Sequence, residues 1–387
     1  MYKPHQIVAS DKALALLRAN GFVGIFGLPR TGKTRTAIRT ANLYGSKNVL
    51  IFTKKAAIPG WRSELDAVAV SFQVTVTNYE QAKHIKGDFD LVIIDEAHNL
   101  GTRGKATLRV KEIRALCYDL PMIGLTGTPT IETPLGIYHQ WCVTKYSPFK
   151  HKNFYAFFNE FGIPKPIWIG GRSVESYKVA RDTLEPVIER FVVRINQDDA
   201  GITHKAQDQI HTVKLKKKTQ KMIANIMEEG VHKDFIFDTE MGVRTAVHQI
   251  EAGAVLYDDN LLSLKNTEVL DYLLKTFGDS ADVAFFCHFR STRQKLDEHF
   301  TRATVLSSIA HAEGYDASHF KHMVVVNTGY SGSKWSQLRN RLVNINRTSE
   351  AIVHIITTDG GISREVYEVI SNKDDFNLSR FRALRKC

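Results

Sequence analysis

Apolar positions fall into short runs separated by amphipathic stretches, and the rhythm changes twice along the chain. Through the first third, runs at Phe22–Phe26, Val49–Thr53, Val74–Thr77, Leu91–Ile94 and Met122–Thr126 predict strands. Stretches with helical spacing, such as Lys33–Tyr44, separate most of them. That alternation predicts a parallel sheet with covering helices. From Leu135 to about Lys265 the pattern turns to aromatic-rich helical segments carrying Tyr138, Trp141, Phe154, Tyr155, Phe157, Phe158 and Phe161, followed by a Pro/Gly break and charged helices. Aromatic stripes at this spacing predict packing, and the Lys214–Lys218 cluster reads as a solvated strand-to-helix turn. From Asn266 the α/β rhythm returns, with strands expected at Val283–Cys287, Val305–Ser307, His322–Asn327 and Ala351–Ile356 and helices ending near Phe277 and Phe300.

At 387 residues, 43% of them hydrophobic, the chain has material for two or three domains with real cores. The breaks in rhythm place them at 1–145, 146–265 and 266–387. A net charge of +11 and a pI near 9.3 point to an anionic partner. The four cysteines stand far apart, with neither C-x-x-C spacing nor a metal-like pairing with histidine, so they read as reduced thiols. Cys117 and Cys287 lie in apolar runs and are expected in the core. No signal peptide and no run of membrane length is present, which predicts a soluble, cytoplasmic protein without a membrane partner.

Candidate chemistry sits at the ends of two predicted strands. Gly27-Leu28-Pro29-Arg30-Thr31-Gly32-Lys33-Thr34 is a G-x-x-x-x-G-K-T phosphate loop between a strand and a helix. Gly27 and Gly32 let backbone wrap close to a phosphate, and the amides and dipole of the following helix favour the anion. Lys33 is expected on the β and γ phosphates, and the Thr34 hydroxyl on Mg²⁺. The run Leu91–Ile94 then ends in Asp95-Glu96-Ala97-His98. Asp95 is expected to hold the same Mg²⁺ through water, and Glu96 to orient or deprotonate the attacking water. Together the two motifs predict binding and hydrolysis of a nucleoside triphosphate with Mg²⁺. Parallel strands bring such groups side by side at the sheet's carboxyl edge.

The order of further motifs resembles a superfamily II nucleic-acid translocase of the Swi/Snf-type branch, in a compact form like those carried by phages. Lys3-Pro4-His5-Gln6 resembles the upstream adenine-reading motif, with Gln6 on the base. Val49–Glu64, with Thr53, Lys54, Lys55, Trp61 and Glu64, resembles motif Ia, and Val76-Thr77-Asn78-Tyr79-Glu80 is similar to motif Ib. Gly124-Leu125-Thr126-Gly127-Thr128-Pro129-Thr130 resembles motif III, which couples hydrolysis to nucleic-acid contact in that family. Leu135–Phe161 and Leu184–Arg194 resemble the branch's helical insertion. Val283–Arg290, Ala310–Asp316 and Gln337–Arg341 resemble motifs IV, V and VI. The second motif VI arginine falls near Asn344 in the family's pattern, and the next arginine here is Arg347. The chain also skips the strand and helix that usually follow Phe300, so the second lobe looks trimmed.

The resemblance implies two RecA-like parallel-sheet lobes with a helical insertion between them and ATP between the lobes. It implies Gln6, Gly27, Arg30, Thr31, Gly32, Lys33 and Thr34 as nucleotide ligands. Catalysis falls to Lys33, Asp95 and Glu96, with an arginine finger from Arg341, for which Arg347 and Arg339 compete. The implied nucleic-acid track is Thr53, Lys54, Lys55, Asn78, Tyr79, Arg103 and Lys105, with His288 and Arg290 from the second lobe. Residue by residue, Lys54, Lys55 and Arg103 also read as solvated charges, Tyr79 as core, and Trp61 as packing. The expected activity is that of a monomeric ATPase moving on duplex DNA and remodelling forks, junctions or bound proteins. A strand-separating helicase on DNA or RNA and a nucleotide-gated clamp are the alternatives. No Asn-Gly hairpin signal in the second lobe announces a strand-separating wedge. Specific recruitment would come from the insertion, the basic tail or a partner protein.

Overall fold

A computed structural model describes residues 2–28, 31–127, 133–169, 172–201, 206–233, 235–258, 260–309, 317, 319–339, 351–372 and 374–385. The chain forms two compact units, residues 1–203 and 204–387.

In the first unit, β1 (Phe22–Gly27), β2 (Asn48–Thr53), β3 (Gln73–Asn78), β4 (Leu91–Ile94) and β5 (Met122–Thr126) join a further strand, Val192–Ile195. Their order is 192–195, β1, β5, β4, β2, β3, and every pairing is parallel. The central strands β1, β4 and β5 are wholly buried, which is why they read as unbroken apolar runs. Helices cover both faces. On one, α1 (Pro4–Asn20) and α2 (Lys33–Tyr44) pack through Ala13, Leu17, Ala37 and Ile38 against Val23, Ile25 and Ile51. On the other, Trp141, Phe149, Phe154, Phe157 and Phe161 form an aromatic core against Phe22 and Phe26. The aromatic stripe is packing, as its spacing predicts.

The second unit has a five-stranded parallel sheet in the order Ala206–Lys214, Ala351–Asp359, His322–Asn327, Val283–Cys287, Thr304–Ser307. Helices Lys217–Glu229 and Glu240–Glu251 pack on each other and precede this sheet's inner strands. Two parallel sheets of this order are two RecA-like lobes.

The boundaries differ from those expected at 145/146 and 265/266. Residues 146–265 are not a body of their own: the first unit keeps 146–203 and the second takes the rest. Strand 192–195 closes the edge of the first sheet, and 206–214 forms an edge of the second. Both were hidden because edge strands carry mixed polarity; 206–214 has two buried positions, Ala206 and Val213, and is exposed or half-buried at the rest. The segment is also less helical than expected, with hairpins at 166–175, 231–236 and 254–263. Lys214 ends a strand and Lys217 opens a helix, so the lysine cluster is the predicted turn. Cys117, Cys142 and Cys287 are free and buried. Among the described residues no helix is long and apolar enough to cross a membrane.

Candidate ATP site and nucleic-acid track

The phosphate loop leaves β1 at Gly27 and enters α2 at Lys33. Gly32 is left-handed at φ +81°, and a Cβ there would lie 2.2 Å from Nε2 of Gln6. Glycine is therefore required for both backbone shape and space. Gln6 is buried in the first turn of α1, where its Oε1 accepts the Lys3 amide at 3.0 Å. The same helix holds the loop from a second point, His5 Nε2 lying 3.1 Å from the Thr31 carbonyl. Thr31 is buried and donates to Leu28 O at 2.8 Å. Lys33 Nζ curls onto the loop, donating to Gly27 O at 2.6 Å. Arg30 lies outside the described residues.

Across the sheet's carboxyl edge, Asp95 Oδ2 accepts from Thr53 Oγ1 at 2.7 Å and from the indole nitrogen of Trp61 at 2.8 Å. Tyr79 OH donates to the Asp95 carbonyl. Burial raises the Asp95 pKa, as does the charge of Glu96; the Trp61 and Thr53 hydrogen bonds and Lys33 oppose them. Glu96 adopts a left-handed backbone at φ 50°, costly for a residue with a Cβ and found mainly where function over-determines it. Burial alone would raise its pKa, but the His98 hydrogen bond and the charges of Lys33, His98 and Lys54 outweigh it and hold the carboxyl at about 2. His98 Nδ1 lies 3.1 Å from Glu96 Oε2 and 3.0 Å from Thr126 Oγ1. The imidazole thereby joins the acidic strand end to the start of motif III, of which Thr128, Pro129 and Thr130 lie outside the described residues.

These residues fit a nucleotide with Mg²⁺. Asp95 Oδ1 and the Thr34 hydroxyl take no hydrogen bond among the described residues, so both offer hard oxygen donors. Gly27 leaves the loop room, since a Cβ there would meet Thr31 Oγ1 at 2.6 Å.

The expected track needs revision. Thr53 is buried beneath the acidic motif, with its hydroxyl on Asp95, and does not form a contact surface. Tyr79 is also buried, stacked on Phe52 with ring centroids 6.1 Å apart, as its core reading predicted. Trp61 packs as expected, but its indole N–H also orients Asp95, a role its spacing did not reveal. Asn78 caps the turn Tyr79–His84 by accepting Gln81 N at 3.1 Å. Glu64 pairs with Arg35, tying α3 (Ile58–Asp66) to α2. Lys55 and Lys105 are exposed, and Lys54 and Arg103 are half-buried. In the second unit Arg290 is exposed at its helix start, whereas His288 stays neutral: burial first, then Lys334 and Arg244, lower its pKa to about 4.

Arg339, a competitor for the finger in the sequence, is engaged within its own unit. Its guanidinium bonds Asp208 Oδ1 at 3.0 Å and Ala206 O at 2.7 Å, while Tyr367 OH donates to Asp208 Oδ2. The arginine staples helix Gly332–Arg339 to the edge strand. Arg341, Arg347 and the motif V segment 310–316 lie outside the described residues.

A phosphate loop and paired carboxylates at the carboxyl edge of one RecA-like lobe, followed by a second such lobe, define a helicase-like P-loop protein of superfamily II. Residues 31–263 match the family model described as the SNF2-related domain, and the chain belongs to that family. The fold is similar to that of the crystal structure of the Pyrococcus furiosus Hef helicase domain, at 13% identity and a TM-score of 0.52 over 95% of this chain and 97% of that one. No curated protein sequence matches the chain.

Proposed function

We propose that the chain is an ATP-dependent DNA translocase, coupling hydrolysis to movement along duplex DNA and thereby remodelling forks, junctions or protein–DNA complexes. The observation that carries the reading is the position of Glu96: a carboxylate one residue after Asp95 at the sheet's carboxyl edge, with its buried Oε2 3.1 Å from His98 Nδ1. An ionised, positioned carboxylate is what activation of a water against a γ-phosphate requires. Gln6 reads the adenine, and Gly27, Arg30, Thr31, Gly32 and Lys33 cradle the phosphates. Thr34 and Asp95 would hold Mg²⁺, whose charge offsets that of the phosphates. Arg341 or Arg347 is the arginine finger that the family resemblance implies, a contribution of roughly 10³–10⁵ in rate in related enzymes. Lys54, Lys55, Arg103 and Lys105 of the first unit, and separately Arg290 of the second, are the cations for phosphates, so binding is salt-sensitive and indifferent to sequence.

A strand-separating helicase is the second reading, favoured by one observation. The second unit carries two short hairpins, 231–236 and 254–263, despite lacking an Asn-Gly turn signal. Lys233 and Asp258 take the left-handed turn positions instead.

ATP turnover by wild type and Glu96→Gln, measured with no polynucleotide, duplex DNA, single-stranded DNA and RNA, tests the proposal. Duplex stimulation that Glu96→Gln abolishes is expected. Stimulation by single strands alone would favour the helicase, and no turnover would favour the clamp.

A further inference from the structure

Beyond the strand ends Cys287, Ser307 and Asn327 of the second sheet lies a pocket of about 360 Å³, whose walls include His288, Ser308, Tyr330, Lys334, Trp335 and Phe376. It sits at the carboxyl edge of a parallel sheet, where backbone and loops converge on ligands. We propose that this pocket receives one unpaired nucleotide of the bound nucleic acid, so that the second unit reads forks, gaps or bulges. The inference rests on the nucleic-acid reading above and names which part of the polymer the unit engages.

Size comes first. A volume of about 360 Å³ is near the lower end of small-ligand sites, roughly 300–1,000 Å³, and admits a single base with its sugar but no stacked duplex. The chemistry of the wall is equally selective. Trp335 and Phe376 are buried beneath, Tyr330 is half-buried, and Ile309 stands 58% exposed at the rim. Ile309 and the accessible part of Tyr330 are thus the apolar surface that a base would cover, above the packed Trp335 and Phe376, and contact of that kind is indifferent to which base it is.

The polar groups match one nucleotide and not a free triphosphate. Lys334 is exposed and has no carboxylate partner among the described residues, so it offers one positive charge to one phosphodiester. Asp375, the acidic group of the wall, accepts the Gly332 amide at 3.0 Å through Oδ1. His288 supplies no second charge, since it is neutral at physiological pH. Its Nδ1 lies 3.5 Å from Ser308 Oγ, and a neutral imidazole with a hydroxyl can donate to or accept from a base edge. Gly329 makes this arrangement possible: a Cβ there would lie 2.9 Å from His288 Cε1, so only glycine lets the ring lie against that backbone.

The test is equilibrium binding, without ATP, to a duplex carrying one bulged 2-aminopurine and to its fully paired counterpart. Wild type should favour the bulged duplex and change its 2-aminopurine emission about twofold or more as the base is transferred from solvent to the pocket. Ser308→Trp, which fills the pocket, should remove both effects while keeping the thermal midpoint of the wild type. Equal affinity for the two duplexes with no emission change, or a Ser308→Trp protein that responds like wild type, overturns the proposal. Should Ser308→Trp fail to fold, Lys334→Ala on the exposed rim decides: loss of the preference supports the pocket, and an unchanged preference overturns it. Because the assay contains no ATP, it separates the two readings. Bulge preference without duplex-stimulated turnover refutes the translocase alone, and stimulated turnover without bulge preference refutes the pocket alone.

Discussion

The indole nitrogen of Trp61 donates to Oδ2 of Asp95 at 2.8 Å, from a helix that lies 34 positions earlier in the chain. Thr53 donates to the same oxygen, so both donors go to Oδ2 and neither to Oδ1, the atom that would be left to hold Mg²⁺. Trp61 therefore belongs to the acidic site as much as to the core, and the segment resembling motif Ia supports Asp95 from beneath the sheet edge.

Trp61→Phe should keep the fold, since the ring still fills its buried site, but remove one hydrogen bond to a carboxylate. Such bonds contribute about 1.5–3 kcal/mol, so the Mg²⁺ concentration needed for half-maximal turnover should rise roughly 10–100-fold. Thr53→Val should behave similarly. Titrating Mg²⁺ at saturating ATP checks this, and an unchanged Mg²⁺ dependence in both variants would show that neither donor orients Asp95.

Gly32→Ala is expected to abolish nucleotide binding. The left-handed backbone costs alanine about 1–2 kcal/mol, and its methyl would displace Gln6 from the loop. Nucleotide affinity by calorimetry, with the thermal midpoint measured in parallel, should show binding lost and the midpoint lowered by a few degrees. Retained affinity would mean that the loop tolerates a different path.

Three arginines separate by phenotype. Arg339→Ala breaks the pair with Asp208 and should destabilise the second unit by about 1–3 kcal/mol, since it leaves a half-buried carboxylate with the Tyr367 hydroxyl but without its cation. Whichever of Arg341→Ala and Arg347→Ala removes the finger should lower turnover by roughly 10³-fold or more with the thermal midpoint unchanged. Urea unfolding beside single-turnover hydrolysis makes the comparison. A stable, inactive Arg339→Ala would reverse the assignment.

Acid should loosen the second unit before the pH range of carboxylate titration. Across three neighbouring strands, His354 bonds His211 at 2.9 Å on one ring nitrogen and His322 at 2.9 Å on the other. Burial, then the two neighbouring histidines, lower its pKa to about 4. Burial does the same to His248, down to about 3, with help from His288 and Arg244. An unfolded histidine titrates near 6.5, so below about 6.5 the unfolded chain binds protons that the folded one refuses. Their contribution is complete above about pH 6.5 and is lost as pH falls toward 4. Thermal midpoints between about pH 8 and pH 4 should fall through that window, and His354→Gln should flatten the slope. An identical slope in the variant would exclude the histidine row as a source.

The residues whose job is local were readable from the chain. A phosphate loop needs Gly27, Gly32 and Lys33 at fixed spacing, and central strands of a parallel sheet need unbroken apolar runs. Leu91–Ile94, Met122–Thr126, Val283–Cys287 and His322–Asn327 therefore fall at the expected positions, as does helix Lys33–Tyr44. The resemblance in motif order reached further, to the family itself. Tertiary structure alone decided the rest. Strands 192–195 and 206–214 sit at sheet edges, where solvent on one side erases the apolar signature. Thr53, Trp61, Tyr79, His98 and Arg339 could each be polar surface, core or catalytic support, and spacing cannot distinguish these. A side chain's role depends on which atoms lie within hydrogen-bonding distance, and for Thr53, Trp61 and Tyr79 at Asp95, and for Arg339 at Asp208, those partners come from distant segments that only the folded sheet brings together.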